Sequence, residues 1–164
     1  MIVSCRELDY TDARDATLLV HLLDAYARDP MGGGAPLSAH TREQLARVLA
    51  STPNAFSIVA ESGGRGLGLA NCFTSVSTFA AKPIVNIHDA YVVPDARGHG
   101  VVDALFAAIE TSAVALDACK VTLEVLEGNA RAQAVYQRLG FSGYSLDPGT
   151  GNALFWEKKL AQIG

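Results

Sequence analysis

Arg97-Gly98-His99-Gly100 stands between a run rich in β-branched and apolar residues, Asn86–Val93, and an amphipathic run, Val101–Glu110. Val101, Ala104, Leu105, Ala108 and Ile109 recur at the spacing of a helix face. Pro94 closes the preceding strand because it has no N–H to give to a ladder. A glycine-bearing loop at the start of a helix offers unpaired backbone N–H groups, close approach to the backbone, and a dipole that favours negative charge. The chemistry predicted for this stretch is an anion cradle of the kind that holds phosphate. The same four residues also fit an ordinary glycine turn before a helix. They are not a Walker A loop, which would end in Gly-Lys-Ser/Thr, and they do not complete G-x-G-x-x-G.

A second group lies further along the chain. Val121–Glu127 reads as a strand, Asn129 as the cap of a following helix, and Tyr136-Gln137-Arg138-Leu139-Gly140-Phe141 closes that helix. A phenol can donate a proton while lying against apolar surface. The bland alternative is that Tyr136 packs with Phe141 between helix and sheet. His88 and Asp89 are the sharpest polar pair in an apolar strand. Alternation sends them to opposite faces unless a bulge intervenes.

Together these stretches resemble the GNAT superfamily of acetyl-CoA-dependent N-acyltransferases. The shared frame is V-x-P at Val92–Pro94, R-G-x-G-x-x at Arg97–Val102, N-x-x-A at Asn129–Ala132 and Y-x-x-x-G-F at Tyr136–Phe141. It is most specific over residues 86–141 and extends over nearly the whole chain. Val102 departs from it, since the family's loop usually has Gly or Ala there.

The resemblance implies transfer of an acetyl group from acetyl-CoA, without a metal, to a primary amine of a small molecule or peptide. The cofactor's pantetheine arm would pair with the backbone at Tyr91, Val92 and Val93, with Asn129 and Ala132 nearby. Its pyrophosphate would lie on the loop formed by Arg97, Gly98, His99, Gly100, Val101, Val102 and Asp103. Tyr136 would protonate the departing sulfur. By register with members that carry an acidic residue six places before the proline, His88 would be the base, an imidazole being able to accept a proton near neutrality. Asp89 would make a structural hydrogen bond or contribute to the acceptor site. Met31 and Gly32 would wall that site, although the segment equally fits a plain flexible linker. Subunit pairing as a homodimer is implied as well. Val102 and the lack of an unambiguous carboxylate base would suit a non-catalytic acyl-CoA-binding module. A nucleotide-binding module using RGHG alone is a third reading.

The rest of the chain must position these residues. Its 164 residues suit a single domain over 1–164 with one substantial core. A composition 49% hydrophobic and 18% charged argues for a globule, and a net charge of −4 gives no support to nucleic-acid binding. Cys5, Cys72 and Cys119 are scattered, without C-x-x-C, as expected of free thiols in a reducing compartment. No signal peptide or membrane span is apparent, so a cytoplasmic location is expected.

A first strand is expected over Ile2–Leu8. Helices follow over Ala16–Ala27, capped by Thr11-Asp12, and over Ser38–Leu49. Asp29–Pro36, with three successive glycines, should form a mobile connector. Strands are expected over Phe56–Glu61 and Gly66–Phe79, with Gly66 and Gly68 marking a bulge or close approach. A closing hairpin should pair 141–146 with 153–160 around Asp147–Gly151, placing Phe155 and Trp156 in the core or at a dimer contact. The fold class is α/β (α+β): a mixed, mostly antiparallel sheet flanked by helices, in the order β-α-α-β-β-β-α-β-α-β-β.

Overall fold

The computed structural model describes residues 2–145, 147, 149 and 151–160. The chain divides into two compact units, Met1–Leu123 and Glu124–Gly164. The first holds a five-stranded sheet whose strands lie in chain order: β1 (Ser4–Glu7), β2 (Ala55–Ser62), β3 (Arg65–Ser77), β4 (Lys82–Val92) and β5 (Lys120–Leu123). β1 to β4 pair antiparallel, and β5 joins β4 parallel. A parallel neighbour needs a long crossover, which α3 (Val101–Ala115) supplies. α1 (Ala13–Arg28) and α2 (Ala39–Ala50) connect β1 to β2. The second unit carries α4 (Ala130–Arg138). The mixed, mostly antiparallel sheet with flanking helices is the expected fold class.

Capping sets where the first two helices begin. Asp12 accepts from the N–H groups of Arg14 and Asp15, and Ser38 accepts from that of Thr41. Leu19 and Leu22 of α1 and Leu49 of α2 pack with Val59 and Leu69 from the sheet. Gly68 looks the other way, for a Cβ there would meet Leu105 at 2.9 Å and Val101 at 3.2 Å. Neighbouring residues of β3 thus face different helices, which puts α3 on the opposite face of the sheet from α1 and α2. The register of β2 against β3 shifts between Ala60 and Glu61, opposite Gly68 and Gly66. A Cβ on Gly66 would meet Leu18 of α1, so the expected bulge is present and changes the face that the strand presents. Arg6 fastens the start of the sheet. Its guanidinium grips both oxygens of Asp15 at 2.7 Å and Oε2 of Glu61 at 2.7 Å.

The structure departs from expectation in three places. The glycine-rich connector is tied down: Pro30–Gly32 forms one 3-10 turn capped by the Asp29 side chain. The N–H groups of Gly32 and Gly34 donate to the Asp29 carbonyl, and that of Ala35 donates to Ala27. β5 ends at Leu123, short of the expected Glu127. The carbonyls of Leu126 and Glu127 accept instead from Gln133 Nε2, at 3.0 and 2.7 Å. Among the described residues, neither flank of the expected closing hairpin forms a strand, although Ala153 N–H donates to the Tyr144 carbonyl at 3.0 Å. Leu146, Pro148 and Thr150 of that hairpin lie outside the described residues. Phe155 and Trp156 are exposed, which overturns their placement in the core.

Candidate active site

The site begins with a fault in the ladder between β3 and β4. Asn71 pairs with Asp89 and Cys72 with Ile87, leaving His88 as an extra residue on β4. A bulge breaks the alternation of side chains. His88 and Asp89 therefore both line one cavity of about 330 Å³. His88 Nδ1 lies 3.4 Å from Asp89 Oδ1, and the imidazole meets the Phe73 ring edge-on at 5.6 Å.

Asp89 is held from behind. Asn71 Nδ2 donates to its Oδ2 at 2.9 Å, Ser57 Oγ donates to Asn71 Oδ1 at 2.6 Å, and the Tyr10 hydroxyl lies 2.7 Å from Ser57 Oγ. Ser57 and Asn71 are buried. The chain of bonds crosses β2, β3 and β4 and reaches the cavity at the carboxylate. Burial, and secondarily the charge of Asp89, pushes the Cys72 thiol up to about 12. Burial is also the main cause that raises the Tyr26 phenol, with Asp89 next. Both groups therefore stay neutral beside the carboxylate at ordinary pH.

The opposite walls are apolar. Leu23 comes from α1, Leu45 and Leu49 from α2, and Leu37 from the segment between them. Gly32 lines the cavity where its turn crosses α1. A Cβ there would sit 1.9 Å from the Tyr26 carbonyl oxygen, so only glycine fits. Met31 is 43% exposed and is not part of the lining. Of the expected acceptor residues, Gly32 and Asp89 reach the cavity and Met31 does not.

The loop after β4 has the form of a cradle. Gly98 and Gly100 have φ of +81° and +79°, and a Cβ on either would meet nothing within 4 Å. Gly100 caps α3 without a side-chain hydrogen bond. The first-turn N–H groups, on Val101, Val102 and Asp103, thus begin the helix beside open space. This arrangement fits the pyrophosphate of a coenzyme A thioester. His99 is exposed, with Nδ1 3.1 Å from the Arg97 carbonyl.

Arg97 turns back onto the chain. It donates to the Val92 carbonyl at 2.9 Å and to Asp29 Oδ2 at 2.8 Å, and it stacks 5.7 Å over the Tyr91 ring. Asp29 also caps the turn that carries Gly32, so one ion pair joins the loop after β4 to a turn that lines the cavity. Val93 N–H is already donated to the Leu67 carbonyl. Tyr91 is buried and stacks on Tyr26 at 5.6 Å. Pairing of β4 with β5 stops at Ile87↔Leu123, so β4 runs on to Val92 without a β5 partner.

In the second unit, Asn129 caps α4 by accepting from Ala132 N–H at 3.1 Å. The Y-x-x-x-G-F stretch ends the same helix. Gly140 has φ +91°, its N–H donates to Gln137, and Phe141 N–H donates to Tyr136. The Tyr136 and Phe141 rings lie 6.1 Å apart. These two bonds and the ring contact are those of a Schellman cap, which explains the spacing of the motif in local terms.

Tyr10, Asp29, Ser57 and Asn71 carry no motif, and the sequence reading missed them. The visible signal for Ser57 and Asn71 is a small polar residue set inside an apolar strand run.

The geometry sets a glycine-bearing helix start after β4 and a separate apolar-walled cavity along the same strand. Residues 16–141 match the Acetyltransferase (GNAT) family, and the chain belongs to that family of acyltransferases. It is 27% identical over 141 residues to the uncharacterized N-acetyltransferase YhfO of Bacillus subtilis (strain 168), covering 82% of this chain and 87% of that one. Its fold is similar to that of an aminoglycoside acetyltransferase, meta-AAC0020, from an uncultured soil metagenomic sample, in complex with sisomicin. The TM-score is 0.79, with 15% identity and 97% of each chain covered. It is also similar to AAC(6')-Iy in complex with the bisubstrate analogue CoA-S-monomethyl-acetylneamine, with TM-score 0.76, 17% identity, and 98% and 100% of the two chains covered. Among the described residues, no group of His, Cys, Asp and Glu could hold a metal ion, and no helix is long and apolar enough to cross a membrane.

Proposed function

We propose that this chain transfers an acetyl group from acetyl-CoA directly to a primary amine that enters the cavity at Asp89. The observation that carries this reading is the bulge at His88, which brings an imidazole and a carboxylate onto one apolar-walled cavity. The strand that carries both leads into the cradle at Gly98–Asp103. Acetyl-CoA, when bound, supplies a thioester whose carbonyl carbon the amine can attack.

The residues divide the remaining work. The N–H groups of the cradle hold the pyrophosphate. Asp89, fixed by Asn71, orients the acceptor nitrogen. His88, with Nδ1 turned toward Asp89, takes one proton from the bound ammonium and so frees the lone pair that attacks, and the second N–H proton passes to solvent as the C–N bond forms. Asp89 stabilises the resulting imidazolium. Tyr136 gives its proton to the sulfur as the C–S bond breaks, a role supported by its place in the family's motif. Holding donor and acceptor together supplies much of the rate.

The test is release of the CoA thiol from acetyl-CoA in the presence of primary amines. Tyr136→Phe should lower kcat by about 100-fold, the usual size of a general-acid contribution. Acetyl-CoA affinity measured by calorimetry should stay unchanged. An undiminished kcat removes Tyr136 from the mechanism, and absence of acetyl-CoA binding removes the mechanism altogether.

A further inference from the structure

We infer that the acceptor is a primary monoamine on a compact apolar body, bound with its ammonium on Asp89 and its body against Leu23, Leu37, Leu45, Leu49 and Phe73. This inference rests on the acetyltransferase reading and narrows it to a substrate class.

The charges around the cavity support it. Asp15, Asp24, Asp29, Glu43 and Asp89 lie on or beside the elements that form it; the first three are matched by arginine, and Glu43 is exposed and not part of the lining. Asp24 holds Arg28 at 2.7 Å and Arg42 at 3.6 Å, and it also accepts from the Leu37 N–H. Asp29 holds Arg97 at 2.8 Å. Asp89 has no arginine or lysine partner among the described residues. Its neighbours are Asn71 and His88, which leave lone pairs on the carboxylate for a cation. Tyr26, which also lines the cavity, stays neutral because burial raises it. Asp89 is therefore the one carboxylate among the described lining residues, and no lysine or arginine offsets it there.

The walls decide what can accompany the ammonium. A second or third ammonium group held inside the cavity would meet leucine side chains without a charged partner, which is unfavourable. A peptide main chain would meet the same walls with unpaired N–H and C=O groups. The most polar lining residue apart from Asp89 and His88 is Asn71, whose amide is already engaged at both ends by Ser57 and Asp89. An apolar body loses nothing there and gains from leaving water. At about 330 Å³ the cavity lies at the small end of ligand pockets, which suits one ring or a branched alkyl group.

The test uses the full chain with acetyl-CoA and three acceptors: 2-phenylethylamine, spermidine and a short peptide with a free N-terminal alanine. The expected result is a kcat/KM for 2-phenylethylamine at least about 100-fold above the other two, the scale set by burying one aromatic body. Asp89→Asn and, separately, Leu37→Asn should each raise the KM for 2-phenylethylamine by about 10-fold with acetyl-CoA affinity unchanged, which also shows that the variants are folded. Preferred turnover of spermidine or the peptide overturns the monoamine inference and leaves the acetyltransferase reading standing. Binding of acetyl-CoA with acetylation of none of the three amines overturns both.

Discussion

The hydrogen bonds behind Asp89 have a direction, and that direction predicts an order of damage. A carboxylate only accepts, so Asn71 must turn its NH₂ toward Asp89 and its oxygen toward Ser57. Ser57 has one proton, which that oxygen takes, so the Tyr10 hydroxyl must donate to Ser57. Ser57→Ala leaves the amide oxygen of Asn71, a residue only 4% exposed, without a donor. An orphaned buried acceptor costs about 1–3 kcal/mol. Tyr10→Phe removes a donor from Ser57 but leaves the bond to Asn71 intact, at the net worth of one ordinary hydrogen bond, about 1 kcal/mol. Taking about 2 kcal/mol, the middle of that range, and about 2–4 °C of Tm per kcal/mol for a chain of this size, Ser57→Ala should lower Tm by about 4–8 °C and Tyr10→Phe by about half as much. Thermal unfolding followed by circular dichroism reads both values. Amine KM in the acetylation assay should rise more for Ser57→Ala, because the orphaned amide is the one that holds Asp89. Equal or reversed losses of Tm would show that the chain of donors does not run from Tyr10 to Asp89.

Two further outcomes follow from the shifted groups. The hydrogen bonds from Arg6 hold the Asp15 carboxyl below its ordinary range, against an opposing push from burial. A carboxyl lowered in the folded state stabilises above its unfolded pKa, and that stability is lost as pH falls through the folded value. Wild type should therefore exceed Asp15→Asn in urea midpoint at neutral pH, and the difference should shrink below about pH 4; a constant difference across that range refutes the assignment. Burial and then Asp89 push the Cys72 thiol up to about 12, whereas Cys119 is exposed. Iodoacetamide at mildly alkaline pH should label Cys119 in the native protein and reach Cys72 only on unfolding, as peptide mass spectrometry can show. Comparable native labelling of both would mean that the β3 face bearing Cys72 opens readily.

The helices and strands of the first unit were legible because local signals and tertiary packing agree there. Asp12 and Ser38 cap the helices that their positions suggest, and Val101, Leu105 and Ile109 are all buried on the expected face of α3. The turn from β4 into α3 was legible for the same reason, since Pro94 and the positive-φ Gly98 and Gly100 separate the strand from the helix start. The connector was misread because composition alone suggests looseness. Its order comes from Asp29, whose side chain caps the turn and pairs with Arg97, 68 residues away. The extent of β5 was overread because apolar content cannot reveal that Gln133 takes the carbonyls of Leu126 and Glu127.

The acceptor end was ambiguous for a deeper reason. Whether His88 and Asp89 share a face depends on a register fault between two strands, and a bulge is a property of the pair. Nothing in His88-Asp89 itself encodes it. The partner side offers the cue: Asn71, set in the apolar run of β3, pairs with Asp89 and hydrogen-bonds its carboxylate across the ladder. That bond fixes Asp89 opposite Asn71. Cys72, buried on the other side of the fault, fixes Ile87 opposite itself, and Ile87 is buried too. With both neighbours anchored, one by a hydrogen bond and the other by burial, His88 is the residue left without a rung. The polar network that positions the carboxylate therefore also helps to create the bulge that exposes the imidazole beside it. Asn71→Ala should on this logic disturb both groups together, although only one of them touches Asn71.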